Sequence, residues 1–225
     1  AEVRDWLFSL MAEVAHRFDI DGIEFNYTRL PACFPRGTAE ERHAIMTGFV
    51  RRVRAMLDEV GGHKGRKLLL GVRVLQHLES CLKMGFDIPT WIGDGLIDYI
   101  VPGDIGFTDF NPRFEDFVRL ARESDCYVYP QIQAMLGYHH RDLVQTPEHC
   151  RAAVRNFYGA GADGFSTQNY FEVEAYATLK ELRDPEHIGD RHYVYYPIWG
   201  PNRSAQAGYE GDFPYHTEEI VLDRR

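Results

Sequence analysis

Two ionisable residues lie inside hydrophobic runs that read as β-strands, where an unpaired charge is costly. Glu24 lies in the run 21–27 and Arg73 in the run 68–74. Side chains alternate between the two faces of a strand, so Glu24 and Asn26 share the face opposite the apolar residues. A carboxylate in that position can act as an acid, a base or a nucleophile, or it can form an internal ion pair with Arg73.

Further polar residues follow the predicted strands, where the loops of a parallel α/β protein carry its chemistry. Asp104 comes after Pro102 and Gly103, and amide side chains stand at the ends of two later strands. Planar amides and aromatic rings suit a sugar, which offers hydroxyls and an apolar ring face. The candidate catalytic residues are Glu24 and Asp104, and the candidate substrate-binding residues are Asn26, Arg29, Arg73, His77, Trp91, Tyr129, Gln131, Gln168 and Asn169.

Neither the histidines nor the cysteines form a metal-binding motif. His139 and His140 are adjacent, but they lack the spacing that puts two ligands on one side of a metal. The cysteines have no C-x-x-C spacing and are expected to be small buried hydrophobic residues: Cys33, Cys81, Cys126 and Cys150. We therefore expect no metal and no cofactor.

Five strands alternate with helices along the chain. The first helix covers residues 2–18, and the second covers 38–60 and is expected to end at Gly61-Gly62. The predicted strands are 21–27, 68–74, 97–101, 126–129 and 164–168, and the later helices are 112–123, 146–159 and 171–183, with short helical turns near 78–84 and 89–92. This alternation predicts a parallel sheet covered by helices.

The fold class that fits best is an α/β (β/α)₈ TIM barrel. The units recur at intervals near the roughly 30 residues of a barrel unit. A doubly wound sheet is the alternative, but it would need a glycine-rich turn after its first strand, where this chain has Thr28-Arg29-Leu30-Pro31. Residues 1–185 are thus expected to be the C-terminal part of a barrel, strands four to eight, and residues 186–225 a β-rich extension.

Charge and hydropathy exclude two classes of partner. The 225 residues include 25 basic and 34 acidic side chains, for a net charge of −9, which argues against nucleic-acid binding. No apolar stretch approaches the roughly 18 to 20 residues that span a bilayer, and the first residues lack the layout of a signal peptide. We therefore expect neither a nucleic-acid nor a membrane partner.

The run Phe-Asp-Ile-Asp-Gly-Ile-Glu-Phe-Asn-Tyr-Thr-Arg at 18–29 resembles the fourth strand of the family 10-like glycosyl hydrolases, which are bacterial barrel proteins of polysaccharide degradation. Further similar segments occur in the same order, and the resemblance covers about residues 1–185. These segments are 71–74, 91–98, 102–104 with 109–111, and 127–130.

This resemblance implies a periplasmic or secreted glycosidase with two carboxyl groups. Glu24 would be one, and Asp104 or a residue on strands outside this sequence the other. Many relatives have an acid where this chain has Asn26. Two further departures are that no glutamate stands near Gln131, where barrel glycosidases with acids on strands four and seven have one, and that Thr28 stands where chitinase-type barrels have an acid.

Two other functions remain open, as does the way the sheet is completed. A non-catalytic carbohydrate-binding barrel would use the same amides, and a metal-dependent sugar isomerase or epimerase would need several convergent ligands. Half a barrel leaves two open sheet edges. We expect the missing N-terminal barrel half, from the same or another polypeptide, or self-association to cover them.

Overall fold

A computed structural model describes residues 2–29, 31–35, 37–103, 108, 114–133, 145–169 and 175–189. The strands are β1 (Gly22–Asn26), β2 (Leu69–Val74), β3 (Tyr99–Pro102), β4 (Tyr127–Val128), β5 (Gln131–Gln133) and β6 (Ser166–Gln168). The helices are α1 (Glu2–Arg17), α2 (His43–Lys64), α3 (Leu78–Lys83), α4 (Ile88–Gly93), α5 (Phe114–Ala121), α6 (Pro147–Gly159), α7 (Ala175–Leu182) and α8 (Pro185–Gly189), with a 3₁₀ turn at Glu40–Arg42. The prediction of an α/β protein with a parallel sheet is confirmed.

The strands pair in the order of the chain. β1, β2, β3 and β4 form one parallel sheet, and β5 pairs in parallel with β6. Pro130 separates β4 from β5, since proline has no N–H for the ladder, but its carbonyl accepts a hydrogen bond from the Ser166 amide at 2.9 Å. Among the described strands the order never reverses, whereas a doubly wound sheet has a reversal.

One face of the sheet is covered by helices and holds the core. Phe25 of β1 stacks on Phe49 of α2 with ring centroids 5.9 Å apart, as the alternation in β1 predicts. Val72 and Ile100, which share this face on the next two strands, are fully buried. The opposite side, the open face, carries Glu24 and the residues in line with it, and there Tyr127 is 55% exposed.

α2 extends past the pair of glycines that was expected to end it. The helix runs through Gly61 and Gly62 to Lys64, so that prediction was wrong. It ends where Gly65 takes a left-handed conformation with φ 68°, which a glycine adopts without steric cost. Gly61 serves a different purpose, because a Cβ there would lie 2.5 Å from the Arg66 carbonyl oxygen.

The predicted extension at 186–225 lies almost entirely outside the described residues. The part that is described, within Pro185–Gly189, is the helix α8 and not a strand. None of the described helices offers an apolar run long enough to cross a membrane.

Candidate functional site

Glu24 lies on the open face in line with residues of the next three strands. The parallel register places Glu24 beside Gly71, Gly71 beside Tyr99, and Tyr99 beside Tyr127. Two residues further along the same face, Asn26 pairs with Arg73. The sheet therefore brings the predicted carboxylate and the predicted guanidinium to neighbouring positions.

Tyr99 leans toward Glu24 over the intervening strand. Two strand spacings, about 9.5 Å, separate β1 from β3, and the Tyr99 ring lies over Gly71 between them, close enough for the charge of Glu24 to act on its hydroxyl. Gly71 makes this possible, because a Cβ at that position would lie 2.0 Å from Cζ of Tyr99. Burial, followed by the negative charge of the nearby Glu24, raises the pKa of Tyr99 to about 12.

Arg73 connects both parts of the sheet. Its Nε donates to Oε1 of Glu24, its Nη1 donates to Oε1 of Gln131 at 2.7 Å, and its Nη2 donates to Oγ of Ser166 at 2.9 Å. The side chains of Arg73 and Glu24 remain 16% and 28% exposed. Their ion pair is therefore present, as the sequence allowed, but it is still accessible from the open face.

A second glycine, Gly103, leaves the space that Gln131 needs to reach Arg73. A Cβ on Gly103, at the end of β3, would lie 2.6 Å from the Cβ of Gln131. The absence of a side chain there lets buried Gln131 pass over β3 and accept the Arg73 hydrogen bond. Glycines on β2 and after β3 thus let larger side chains lean toward Glu24.

A second polar group lies at the carboxyl ends of β1 and β6. Oδ1 of Asn26 accepts hydrogen bonds from the backbone N–H of Thr28 at 3.1 Å and from its hydroxyl at 2.8 Å. The Thr28 hydroxyl is also 3.5 Å from Oε1 of Gln168. Asn169 has φ 55°, the only left-handed conformation outside glycine among the described residues. Backbone in that region is often found at functional sites.

Three other predicted residues lie near these strand ends. Tyr129 follows β4, and its ring is 6.1 Å from that of Tyr99 and 6.3 Å from that of Tyr127. His77 is the residue before α3, beyond the end of β2. Arg29 is exposed after β1. The ring of Tyr129 therefore lies beside that of Tyr99, next to the Glu24 group.

Trp91 is not a substrate-binding residue. Its side chain is fully buried on the helix side of the sheet, and its Nε1 donates to Oγ1 of Thr47 at 2.9 Å. It packs near Tyr27 and Phe86. The prediction was wrong because α4 turns this aromatic residue into the core, where no ligand reaches it.

The second predicted carboxylate, Asp104, lies outside the described residues, as do His139 and His140. The pairing of Glu24 with Asp104 therefore stays a prediction. Among the described residues, no group of three or more His, Cys, Asp or Glu side chains could hold a metal ion.

Tyr99, Ser166 and Thr28 were missed as site residues by the sequence reasoning. Tyr99 could have been found from side-chain alternation. In the predicted strand 97–101 it stands two positions before Val101 and so lies on the same face as that strand end. Ser166 and Thr28 carry no comparable signal, because their roles depend on contacts with strands far away in the sequence.

A cleft of about 300 Å³ lies away from this site, at the amino end of β4. Arg122, Asp125, Cys126 and Asp163 are among the residues that line it. Asp163 already accepts a hydrogen bond from the Val128 amide at 2.8 Å, which gives it a structural role. Burial is the main cause that raises the pKa of the Cys126 thiol to about 12, which disfavours the thiolate form.

Comparison with models of known protein families gives no match for this chain, and comparison with curated proteins gives none either.

Proposed function

We propose that this chain is a carbohydrate-active portion of a barrel-type α/β protein and that it hydrolyses a glycosidic bond. The observation that carries the proposal is the Glu24 carboxylate on the open face of a parallel sheet, where it accepts a hydrogen bond from Arg73. The amide of Gln131 also accepts from Arg73, and Asn26 lies two residues along the same face. Strands that follow one another without reversal in the described sheet favour the winding of a barrel.

The partners of Glu24 suggest which carboxylate role it takes. Arg73 donates a hydrogen bond to it and carries the opposite charge, so its oxygens act as acceptors. In the two-carboxylate scheme this suits the nucleophile, which attacks the anomeric carbon, or the base, which takes a proton from the attacking water. The other carboxyl group would donate its proton to the leaving oxygen as the glycosidic bond breaks, and Asp104 is our candidate for it.

A carbohydrate-binding protein without catalysis is the second candidate. Arg73 donates hydrogen bonds to Glu24, Gln131 and Ser166, and such a network also suits a purely structural role. This observation favours a protein that binds without catalysis. The amides would then bind sugar hydroxyls without bond cleavage.

Hydrolysis of a panel of polysaccharide fragments by the 225-residue chain and by its Glu24→Gln variant tests the proposal. Glutamine keeps an oxygen that accepts from Arg73, but it cannot act as nucleophile or base. We expect turnover to fall about 10²–10⁴-fold while sugar binding, measured by calorimetry, persists. Glu123→Gln, an exposed change after α5, is the matched control and should leave turnover unchanged.

The outcomes separate the two candidates. Undiminished turnover in Glu24→Gln would contradict the catalytic role of Glu24. Sugar binding without any turnover in the unmodified chain would favour the second candidate. If Asn26→Asp hydrolyses a sugar that the unmodified chain does not, position 26 is part of the catalytic machinery; Oδ of the aspartate can still accept both Thr28 hydrogen bonds.

A further inference from the structure

Arg73 holds Glu24 through a single nitrogen. Its Nε donates to Oε1 of Glu24, and among the described residues no other nitrogen of Arg73 bonds to that carboxylate. A guanidinium beside a carboxylate commonly pairs with it through two parallel N–H···O bonds, because the two groups match in shape. The single contact therefore departs from the arrangement that this ion pair would favour by itself.

Acceptors on β5 and β6 turn the two terminal nitrogens of Arg73 away from Glu24. Nη1 donates to Oε1 of Gln131 at 2.7 Å, and Nη2 donates to Oγ of Ser166 at 2.9 Å. Nη1 is also 3.4 Å from the Thr167 carbonyl oxygen. Because Gln131 and Ser166 are paired neighbours in the register of β5 with β6, they offer one side-chain acceptor to each terminal nitrogen.

These two acceptors are placed to set the direction of the guanidinium. Gln131 is 2% exposed and the Arg73 side chain is 16% exposed, so water competes little for the contact between them. Hydrogen bonds from a charged donor are about twice as strong as those between neutral groups. Because Gln131 and Ser166 lie 58 and 93 residues after Arg73 in the chain, the folded sheet, and not the local sequence, fixes this direction.

The direction of Arg73 determines what the second oxygen of Glu24 can do. As nucleophile or base, Glu24 must offer an oxygen to the anomeric carbon or to a proton of the attacking water. If the guanidinium bound both oxygens, the reacting lone pair would first have to leave a charge-assisted hydrogen bond. The observed pairing instead fixes the carboxylate through Oε1 and leaves Oε2 outside the ion pair.

We propose that Gln131 and Ser166 are positioning residues, which hold the terminal nitrogens of Arg73 so that Oε2 of Glu24 stays available for the reaction. This inference rests on the proposed function of Glu24. It gives Gln131 a role different from the direct sugar binding that the sequence predicted. It also gives a role to Ser166, which acts on the carboxylate through Arg73.

The Gln131→Leu/Ser166→Ala double variant removes both acceptors with little change in side-chain size. Without them, the guanidinium should turn onto Glu24 and pair with both of its oxygens. Crystal structures of the unmodified chain and of the variant measure this, because the number of Arg73 nitrogens within about 3.2 Å of the Glu24 oxygens should rise from one to two. Far-UV circular dichroism verifies folding, and Ser166→Ala alone, a smaller change, gives the same readout if the double variant does not fold.

Turnover of a polysaccharide fragment that the unmodified chain hydrolyses is the second readout. In the double variant kcat should fall at least about 10-fold while KM changes less than about threefold, because the lost interaction acts on the reacting carboxylate and not on the bound sugar. Ser166→Thr keeps the hydroxyl and should retain most of the activity. Ser9→Ala, which removes an exposed hydroxyl of α1, is the matched control and should leave both constants unchanged.

The outcomes separate this inference from the proposed function. A double variant in which Arg73 still contacts Glu24 through one nitrogen would overturn the inference, as would pairing with both oxygens at an unchanged kcat. A rise in KM at an unchanged kcat would also overturn it, since Gln131 and Ser166 would then bind the sugar. Absence of turnover in the unmodified chain would contradict the proposed function, and with it the catalytic purpose of this arrangement. The crystal structures distinguish that failure, because they still show whether the two acceptors set the direction of Arg73.

Discussion

At the scale of single residues, the candidate site depends on Gly71, which has no side chain. Gly71 leaves the space through which Tyr99 crosses β2 to reach Glu24. A methyl group at that position would displace the ring and move its hydroxyl away from the Glu24 carboxylate. The site therefore requires glycine at position 71, and the identities of Glu24 and Tyr99 alone do not indicate this requirement.

We expect Gly71→Ala to destabilise the chain by about 1–3 kcal/mol, the usual cost of forcing an extra group into a packed site. Loss of burial and a greater distance from the Glu24 charge should also bring the Tyr99 pKa down from about 12 toward its ordinary value. Urea unfolding measures the first effect, and ultraviolet titration against a Tyr99→Phe variant measures the second.

Gly48→Ala is the matched control for this substitution. Gly48 lies in α2, where an added Cβ meets no atom within 4 Å. The alanine should stabilise the helix by up to about 1 kcal/mol. If Gly71→Ala proved as harmless as Gly48→Ala, Tyr99 would have another position available and the crossing over β2 would be unnecessary.

At this scale the sequence predicted the faces of β1 but not the reach of Tyr99. Alternation alone puts Glu24 opposite Phe25, because the side-chain period of a strand is two. The neighbour of Glu24 depends on the register between separate strands, which no local pattern encodes. Trp91 failed for a related reason, since its place in the core follows from how α4 packs on α2.

At the scale of elements, α6 begins with a cap that depends on pH. Its start at Thr146 and Pro147 was predicted from the sequence and is confirmed. The Thr146 backbone N–H donates to Nδ1 of His149 at 3.2 Å, so this nitrogen must be unprotonated. Burial lowers the pKa of His149 below its ordinary 6.5, while the charge of Glu148 opposes this effect more weakly.

We expect the free energy of unfolding to fall as the pH drops below 6.5, because the unfolded chain then binds a proton that the folded chain resists. The contribution is fully present above pH 6.5, and because His149 is only partly buried, the loss should be smaller than the ~1 kcal/mol that a helix cap typically contributes. Unfolding by urea at pH 7.5 and at pH 5.5 measures it.

His149→Gln should remove this pH dependence and keep the cap, because a glutamine oxygen in that position accepts the same hydrogen bond at any pH. His16→Gln, on the exposed side of α1, should leave the dependence unchanged. A His149→Gln chain with the full original pH dependence would place the titrating group elsewhere.

The ends of helices were predicted well where a capping residue marks them and poorly at Gly61-Gly62, where Gly61 allows close packing on the Arg66 carbonyl and does not end the helix.

At the scale of the whole molecule, the layers are joined by Asp98, which lies just before β3 and is 7% exposed. Its carboxylate pairs with Arg54 of α2 at 2.8 Å and with Lys67, and it accepts a hydrogen bond from the Leu70 amide of β2 at 2.7 Å. One carboxylate thus connects a helix, two strands and the loop between α2 and β2. The sequence predicted these layers from their periodicity, but it gave no sign of this connection, because the three partners come from separate segments.

We expect Asp98→Ala to destabilise the chain by about 3–5 kcal/mol, since it leaves the buried guanidinium of Arg54 without its buried partner. Asp94→Ala removes a carboxylate that pairs with Arg51 where both side chains are about half exposed, and it should cost at most about 1 kcal/mol. Urea unfolding followed by far-UV circular dichroism and by tryptophan emission, to which buried Trp91 contributes, compares the two. Because the connection spans both layers, the two signals should shift together in Asp98→Ala. A loss of Trp91 burial at lower urea than the loss of helix would instead show that the sheet and its helices unfold as separate units.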